Sequence, residues 1–262
     1  MVSQALAVPN DVPFPPTVEE FFPSALVHGT YPWFTKFTLY TWVAVALIVL
    51  FYLVAYRNPK IVPGKAQWIA ESIFGFTRTN IAGEMIGHEG IRFAPYLTTL
   101  LSFILITNLF SIIPFIQISP NAHIAFPVML TIISYVLFNY LGIRKHGFGK
   151  YMKNSLIPPA PGFILPLLVP IEAFSTFIVR PITLSLRLFA NMFAGHMILL
   201  VFTLGGFVLF QSSGFIGKPI GVFSWLLAIA LTFLEALVIA LQSYVFVVLT
   251  SSYVSGALAD EH

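Results

Sequence analysis

The chain has 262 residues, of which 58% are hydrophobic and only 9% charged, so it is not an ordinary water-soluble domain, in which roughly a quarter of residues carry charge. Its formal charge of +3 at pH 7 comes from 13 basic against 10 acidic residues, and in so apolar a chain basic residues mark cytoplasmic loops rather than a nucleic-acid surface. There is no cysteine, which excludes disulfides, thiolate metal ligands and thiol catalysis.

Residues 1–36 carry Pro9, Pro13, Pro15, Pro16, Pro23 and Pro32 and read as an irregular lead, expected outside the membrane. A basic n-region is missing and Asp11, Glu19 and Glu20 are present, so this lead does not resemble a cleavable signal peptide and is expected to be retained. The first apolar run, Phe37 to Tyr56, predicts a membrane-crossing helix, stopped by Arg57-Asn58-Pro59-Lys60. From Gln67 to Met85, Trp68, Ile69, Ile73, Phe74 and Phe76 stand among Glu71, Arg78 and Glu84, the pattern of a helix lying along the interface. A second span is expected over Phe93 to Ile118 and a third over Ile124 to Leu141, joined by a turn at Ser119-Pro120-Asn121.

A basic loop with Arg144, Lys145, Lys150 and Lys153 follows, and then two long apolar stretches, Ile164 to Leu204 and Ile220 to Tyr253. Between them Gly205 to Pro219 reads as a glycine-rich, polar connection. The first stretch would be about 60 Å long as a helix, twice the hydrocarbon thickness, so it must tilt strongly or break. Pro166, Pro170 and Pro181 are candidate kinks. Five crossings with the N-terminus outside put Arg57, Lys60, Lys65, Arg78, Arg92, Arg144, Lys145, Lys150 and Lys153 inside, leaving only Lys36 and Lys218 outside. The prediction is an all-α polytopic membrane protein with five crossing helices, one interfacial helix, and a single membrane domain over 37–262.

An ionisable group in hydrocarbon costs about 2.5 kcal/mol or more, so each one present needs a reason. Glu172, Arg180, Arg187, His196 and Glu235, with Asn191 and Gln242, all fall on the last two stretches. Mutual pairing that pins the bundle is one reading; the concentration of these groups on two spans favours a charge pathway. If those spans form an antiparallel hairpin, residues facing across it have position numbers of nearly constant sum. Arg187 with Gln242 and His196 with Glu235 satisfy that condition around a turn near Gly214 and Gly217. Glu172 lies about 22 Å to one side of Arg187 and His196 about 13 Å to the other, which suits two offset proton paths separated by a fixed cation. Arg180, just before Pro181, is expected to snorkel to the interface. Asn108, Ser111 and Gln117 read equally as interhelical hydrogen-bond partners, and His123 and His146 as solvated loop residues.

The run Arg180-Pro-Ile-Thr-Leu-Ser-Leu-Arg187-Leu-Phe-Ala-Asn191-Met-Phe-Ala-Gly-His196 resembles the signature of the a-subunit of F-type ATP synthases. So do the terminal run from Ala240 through Gln242 to Tyr253, the segment Pro59 to Lys65, and Thr107-Asn108-Leu-Phe-Ser-Ile-Ile-Pro114. The resemblance implies that the last two helices form a long, tilted antiparallel hairpin against a ring of c-subunits. By the same resemblance Arg187 is the essential arginine, Gln242 the glutamine opposite it, and Asn191 the polar residue one turn on. His196 and Glu235 resemble the pair of the outer half-channel, and Glu172 the acid of the cytoplasmic one; Asn108, Ser111 and Ser175 are candidate channel lining. Ser111 departs from relatives that carry aspartate there.

The implied protein is a non-catalytic proton-channel subunit of the bacterial plasma membrane, with its C-terminus cytoplasmic. Its implied partners are the c-ring, the b-subunit peripheral stalk, the remaining synthase, membrane lipid and H⁺, with no cofactor. A secondary transporter or ion channel with a buried charged path is the alternative; it would favour inverted repeats with broken helices, and the sequence has none. A membrane-embedded enzyme would need a motif such as H-E-x-x-H or G-x-S-x-G, also missing.

Overall fold

A computed structural model describes residues 35–113, 116–156, 165–211 and 217–259. Every regular element among them is helical. Helix α1, Lys36–Ala55, is apolar nearly all round, and only the stripe Phe37, Ala44, Ile48 and Ala55 is buried. Trp42, Leu50 and Leu53, among others, face outward as a lipid-immersed helix requires. The Tyr52 hydroxyl, 2.9 Å from Ser102 Oγ, ties α1 to its inner neighbour.

Helix α2, Lys65–Phe76, continues as a π-helical segment over Thr77–Gly83, so the expected interfacial helix is present but its second half is widened. The Thr77 hydroxyl donates to the Ile73 carbonyl oxygen at 2.8 Å just where the wider turns begin, and such back-bonding loosens the α ladder. The widening brings Ile81 and Ala82 into the main core.

A 3₁₀ turn, His88–Phe93, leads into α3, Ala94–Leu109, with Pro95 in the first turn where its missing N–H is tolerated. The expected second span reached Ile118; the helix stops at Leu109 instead. The sequence places Pro114 five residues on, and a proline there cannot supply the N–H that a continued helix would need. Ser111 then donates to the Asn108 carbonyl oxygen at 2.9 Å, helping to close the turn. Leu97, Leu100 and Ile104 of α3 meet the π segment together with Leu184, Leu188, Phe246 and Val247. This is the centre of the molecule.

Helix α4, Ala125–His146, runs five residues beyond the expected end and takes in Arg144, Lys145 and His146, whose positive charge suits a helix C-terminus. Gly147, at φ +78°, reverses the chain into α5, Phe148–Leu156, so the expected basic loop is a helix end and a short helix. Tyr151 of α5 packs its ring against Gly142 and donates to Asn139 Oδ1 at 3.0 Å. His123 and His146 are likewise not simple solvated loop residues. The His123 ring lies tilted against Phe37 with centroids 5.5 Å apart, and His146 Nε2 is buried without a hydrogen-bond partner among the described residues.

Helix α6, Leu165–Phe174, contains Pro170 and passes through π turns at Ser175–Val179 into α7, Arg180–Gln211. The break anticipated at the prolines is this π segment, placed where Pro181 removes an intrahelical donor. Helix α8, Gly217–Leu258, packs antiparallel to α7. The glycine-rich connection is shorter than expected, because Gly205 to Gln211 are helical. Gly206 and Gly221 let the two backbones touch: a Cβ on Gly221 would lie 2.7 Å from the Gly206 carbonyl oxygen. The turn expected near Gly214 falls outside the described residues, and Gly217 opens α8. At 1.5 Å per residue α8 is about 63 Å long, so a bilayer with roughly 30 Å of hydrocarbon forces it to lie steeply tilted or to project beyond the apolar layer.

Candidate functional site

Hairpin register follows from a series of contacts along α7 and α8. Asn191 Nδ2 donates to Gln242 Oε1 at 2.7 Å, Ser224 Oγ to the Phe202 carbonyl oxygen at 2.7 Å, and Trp225 Nε1 to the Thr203 carbonyl oxygen at 3.2 Å. These pairs and Gly206 with Gly221 keep a nearly constant sum of positions, as an antiparallel hairpin requires. Gln242 is therefore bonded to Asn191, one helical turn along from the expected partner Arg187.

Arg187 lies on the opposite side of α7 from the core. Leu184, Leu188, Met192 and His196, four residues apart, form the buried face. Thr183, Arg187, Ala190, Ala194, Ile198 and Val201 form an exposed stripe with helical spacing. No acid or hydrogen-bond acceptor among the described residues engages the guanidinium. The small side chains of Ala190 and Ala194 leave the surface beside it low, so a neighbouring helix can approach closely.

Glu235 is 5% exposed, and neither carboxylate oxygen has a hydrogen-bond partner among the described residues. It sits over Gly195, where a Cβ would lie 3.4 Å from Glu235 Cδ, so the level expected for His196 with Glu235 holds. Ser111 neighbours the carboxylate, and its hydroxyl donates to the Asn108 carbonyl oxygen at 2.9 Å. His196, also buried, borders a cavity of about 150 Å³ that Ser111, Gln117, Thr203 and Thr232 line with polar atoms. Thr203 and Thr232 escaped sequence reasoning. They stand seven residues after His196 and three before Glu235, spacings that share a helix face and were there to be read.

Asn108 is inside a different unit. Its Oδ1 accepts from Asn121 Nδ2 at 2.7 Å and from Ser119 Oγ at 3.3 Å, and Asn121 Nδ2 also reaches Thr107 Oγ1 at 2.9 Å. This buried knot closes the α3–α4 connection, so Asn108 fits the interhelical reading, whereas Ser111 and Gln117 face the cavity.

At the far end of the arginine helix, Glu172 Oε1 lies 3.4 Å from Arg180 NH2 and 3.4 Å from Thr176 Oγ1. The Arg180 guanidinium also lies over the Tyr253 ring, 5.7 Å from its centroid. Arg180 thus turns back along its own helix to an acid and an aromatic ring, in place of the expected lone snorkel. Both side chains remain more than a third exposed, so the pair is moderate in strength. Ser175, half-buried, opens the π segment between them. Among the described residues no cluster of three His, Asp or Glu forms.

A family model described as ATP synthase A chain matches residues 38–255. Proteins named ATP synthase subunit a are similar over most of their length. That of Rhodococcus erythropolis is 46% identical, covering 94% of this chain and 91% of its own. That of Nocardioides is 42% identical, covering 93% and 87%. That of Pseudarthrobacter chlorophenolicus is 39% identical over the whole of both.

Proposed function

This chain belongs to the ATP synthase subunit a family, and from that premise we propose how its α7–α8 hairpin carries protons past a rotating partner. Family membership and, among the described residues, five helices long and apolar enough to cross a bilayer make it a multi-pass membrane subunit of the F-type ATP synthase, with a proton-translocating role. The transporter alternative is not favoured.

The partner facing Arg187 is a ring of c-subunits, each presenting a carboxyl group, and the b-subunit stalk holds this chain stationary. The N-terminus lies outside and the C-terminus in the cytoplasm of a bacterial plasma membrane, with residues 1–36 as an extracytoplasmic lead. A proton from outside enters the cavity bordered by Ser111 and Gln117, passes His196 and Glu235, and neutralises a ring carboxylate. That carboxyl can then rotate through lipid without the cost of a buried charge. On return it meets the other flank of Arg187 and releases its proton towards Ser175 and Glu172. The guanidinium stabilises the transient carboxylate and repels protons that would slip directly between the two paths. Arginine suits this place because it stays protonated when partly desolvated. Asn191 and Gln242 brace each other one turn away and keep that stretch of the hairpin rigid. The subunit performs no bond chemistry alone.

The observation that carries this reading is Arg187, outward and unpaired among the described residues, between a polar cavity at His196 and the acid Glu172 on the same helical run. Its test is ATP-driven acidification of inverted vesicles. Arg187→Ala should lower pumping by roughly a hundredfold or more while the complex still assembles. Arg187→Lys should fail too, since a desolvated ammonium can lose its proton and lacks the planar fork. Near-normal coupled pumping in either variant, or acidification that requires sodium, overturns the proposal.

A further inference from the structure

We propose that the cleft at the common end of α3, α4 and α8 binds the phosphate headgroup of an anionic membrane phospholipid. The position is the first reason. Three of the five candidate spans meet there: His88–Leu109 begins, while Ala125–His146 and Gly217–Leu258 end. The length and apolar character of the three spans place a cleft at their common ends beside the headgroup layer.

Its lining is two-sided. Arg92, Arg144 and Lys145 supply three cations against the single acid Glu89, and Phe93, Leu141 and Leu258 supply an apolar wall. At about 430 Å³ the cleft falls within the usual range of small-molecule sites, roughly 300–1,000 Å³. Glu89 cannot satisfy all three cations. It stands 3.9 Å from Arg92 and 3.8 Å from Lys145, with its own side chain 57% exposed, so both pairs are loose.

The cations also differ in how far they are committed. Lys145 donates to the Leu258 carbonyl oxygen at 2.7 Å and serves the end of α8. Arg92 lies over the Phe93 ring, 4.8 Å from its centroid, at the rim. Arg144 has neither an ion pair nor a hydrogen bond among the described residues. Two guanidinium groups with spare donors match the oxygens of a phosphodiester, and the apolar wall receives the glycerol end of the lipid. The surplus positive charge selects a net negative headgroup over a zwitterionic one, and basic pockets between spans are a known means of holding such groups. None of this depends on the proton path.

The test uses the assembled complex in phosphatidylcholine nanodiscs containing a small fraction of phosphatidylglycerol with a photoactivatable headgroup, followed by mapping of the labelled peptides. Label is expected on residues 88–93 and 141–146 and should be displaced by unlabelled phosphatidylglycerol, not by phosphatidylcholine or inorganic phosphate. Arg92→Gln and Arg144→Gln should each lower labelling about fivefold. Glu89→Gln should raise it, a gain that misfolding cannot imitate. Unchanged labelling in the Arg92→Gln, Arg144→Gln double variant overturns the proposal, as does equal displacement by phosphatidylcholine. Displacement by inorganic phosphate would assign the cleft to a soluble anion and also refute the lipid site.

Discussion

Glu235 is a buried carboxyl group whose oxygens have no hydrogen-bond partner among the described residues, a costly arrangement that is found preferentially at functional sites. A firm salt bridge would hold its protonation state, whereas a carboxyl seated over Gly195, near a polar cavity, can take up and release a proton. His196 borders that cavity, so the two residues should act as one titrating unit. His196→Leu and Glu235→Leu should each slow ATP-driven pumping by about tenfold or more, because each leaves the other desolvated without its counterpart. The exchange His196→Glu with Glu235→His should recover part of the rate in a double-mutant cycle on proton flux. Strictly additive losses with no recovery would show that they work independently.

The hairpin owes its close approach to two glycines rather than to hydrophobic side chains, since lipid solvates apolar surface as well as a neighbouring helix does. A methyl group on Gly221 would press on the backbone, 2.7 Å from the Gly206 carbonyl oxygen and 2.9 Å from the Phe210 nitrogen. On Gly206 it would first meet the Trp225 ring at 2.6 Å, and that ring can swing aside at the expense of its bond to the Thr203 carbonyl oxygen. Gly221→Ala should therefore destabilise the hairpin by about 1–3 kcal/mol, and Gly206→Ala by less. Thermal unfolding of the assembled complex measures the order. Equal losses, or a larger loss at Gly206, would mean that the helices separate more readily than this packing allows. The π segment at Ser175–Val179 matters at the same scale, for it turns α6 so that Glu172 and Arg180 meet across eight residues of sequence.

For the whole molecule, orientation is the quantity that gives the two proton paths their sides. Lys150 on α5 and Lys218 at the start of α8 lie on opposite sides of the bilayer in the proposed topology. Single cysteines at these positions, in a chain with none of its own, should react with an impermeant reagent from opposite faces of sealed vesicles. Same-side labelling would overturn the single crossing between them and with it the assignment of Glu172 to the cytoplasmic path. The sequence by itself determined the five spans, the antiparallel hairpin and the clustering of ionisable groups on it. Apolar runs of bilayer length and the cost of charge in hydrocarbon are local and one-dimensional, so they survive in the residue order. The tertiary structure alone decided which way those groups face. It turned Arg187 outward and Glu235 inward, gave Gln242 to Asn191, folded Arg180 onto Glu172 and Tyr253, and locked Asn108 into a loop knot. Those outcomes depend on helix rotation, on π turns that shift the phase of a helix, and on where glycines let two backbones touch. Each is a property of how distant segments pack, and a span's hydrophobicity is nearly blind to it.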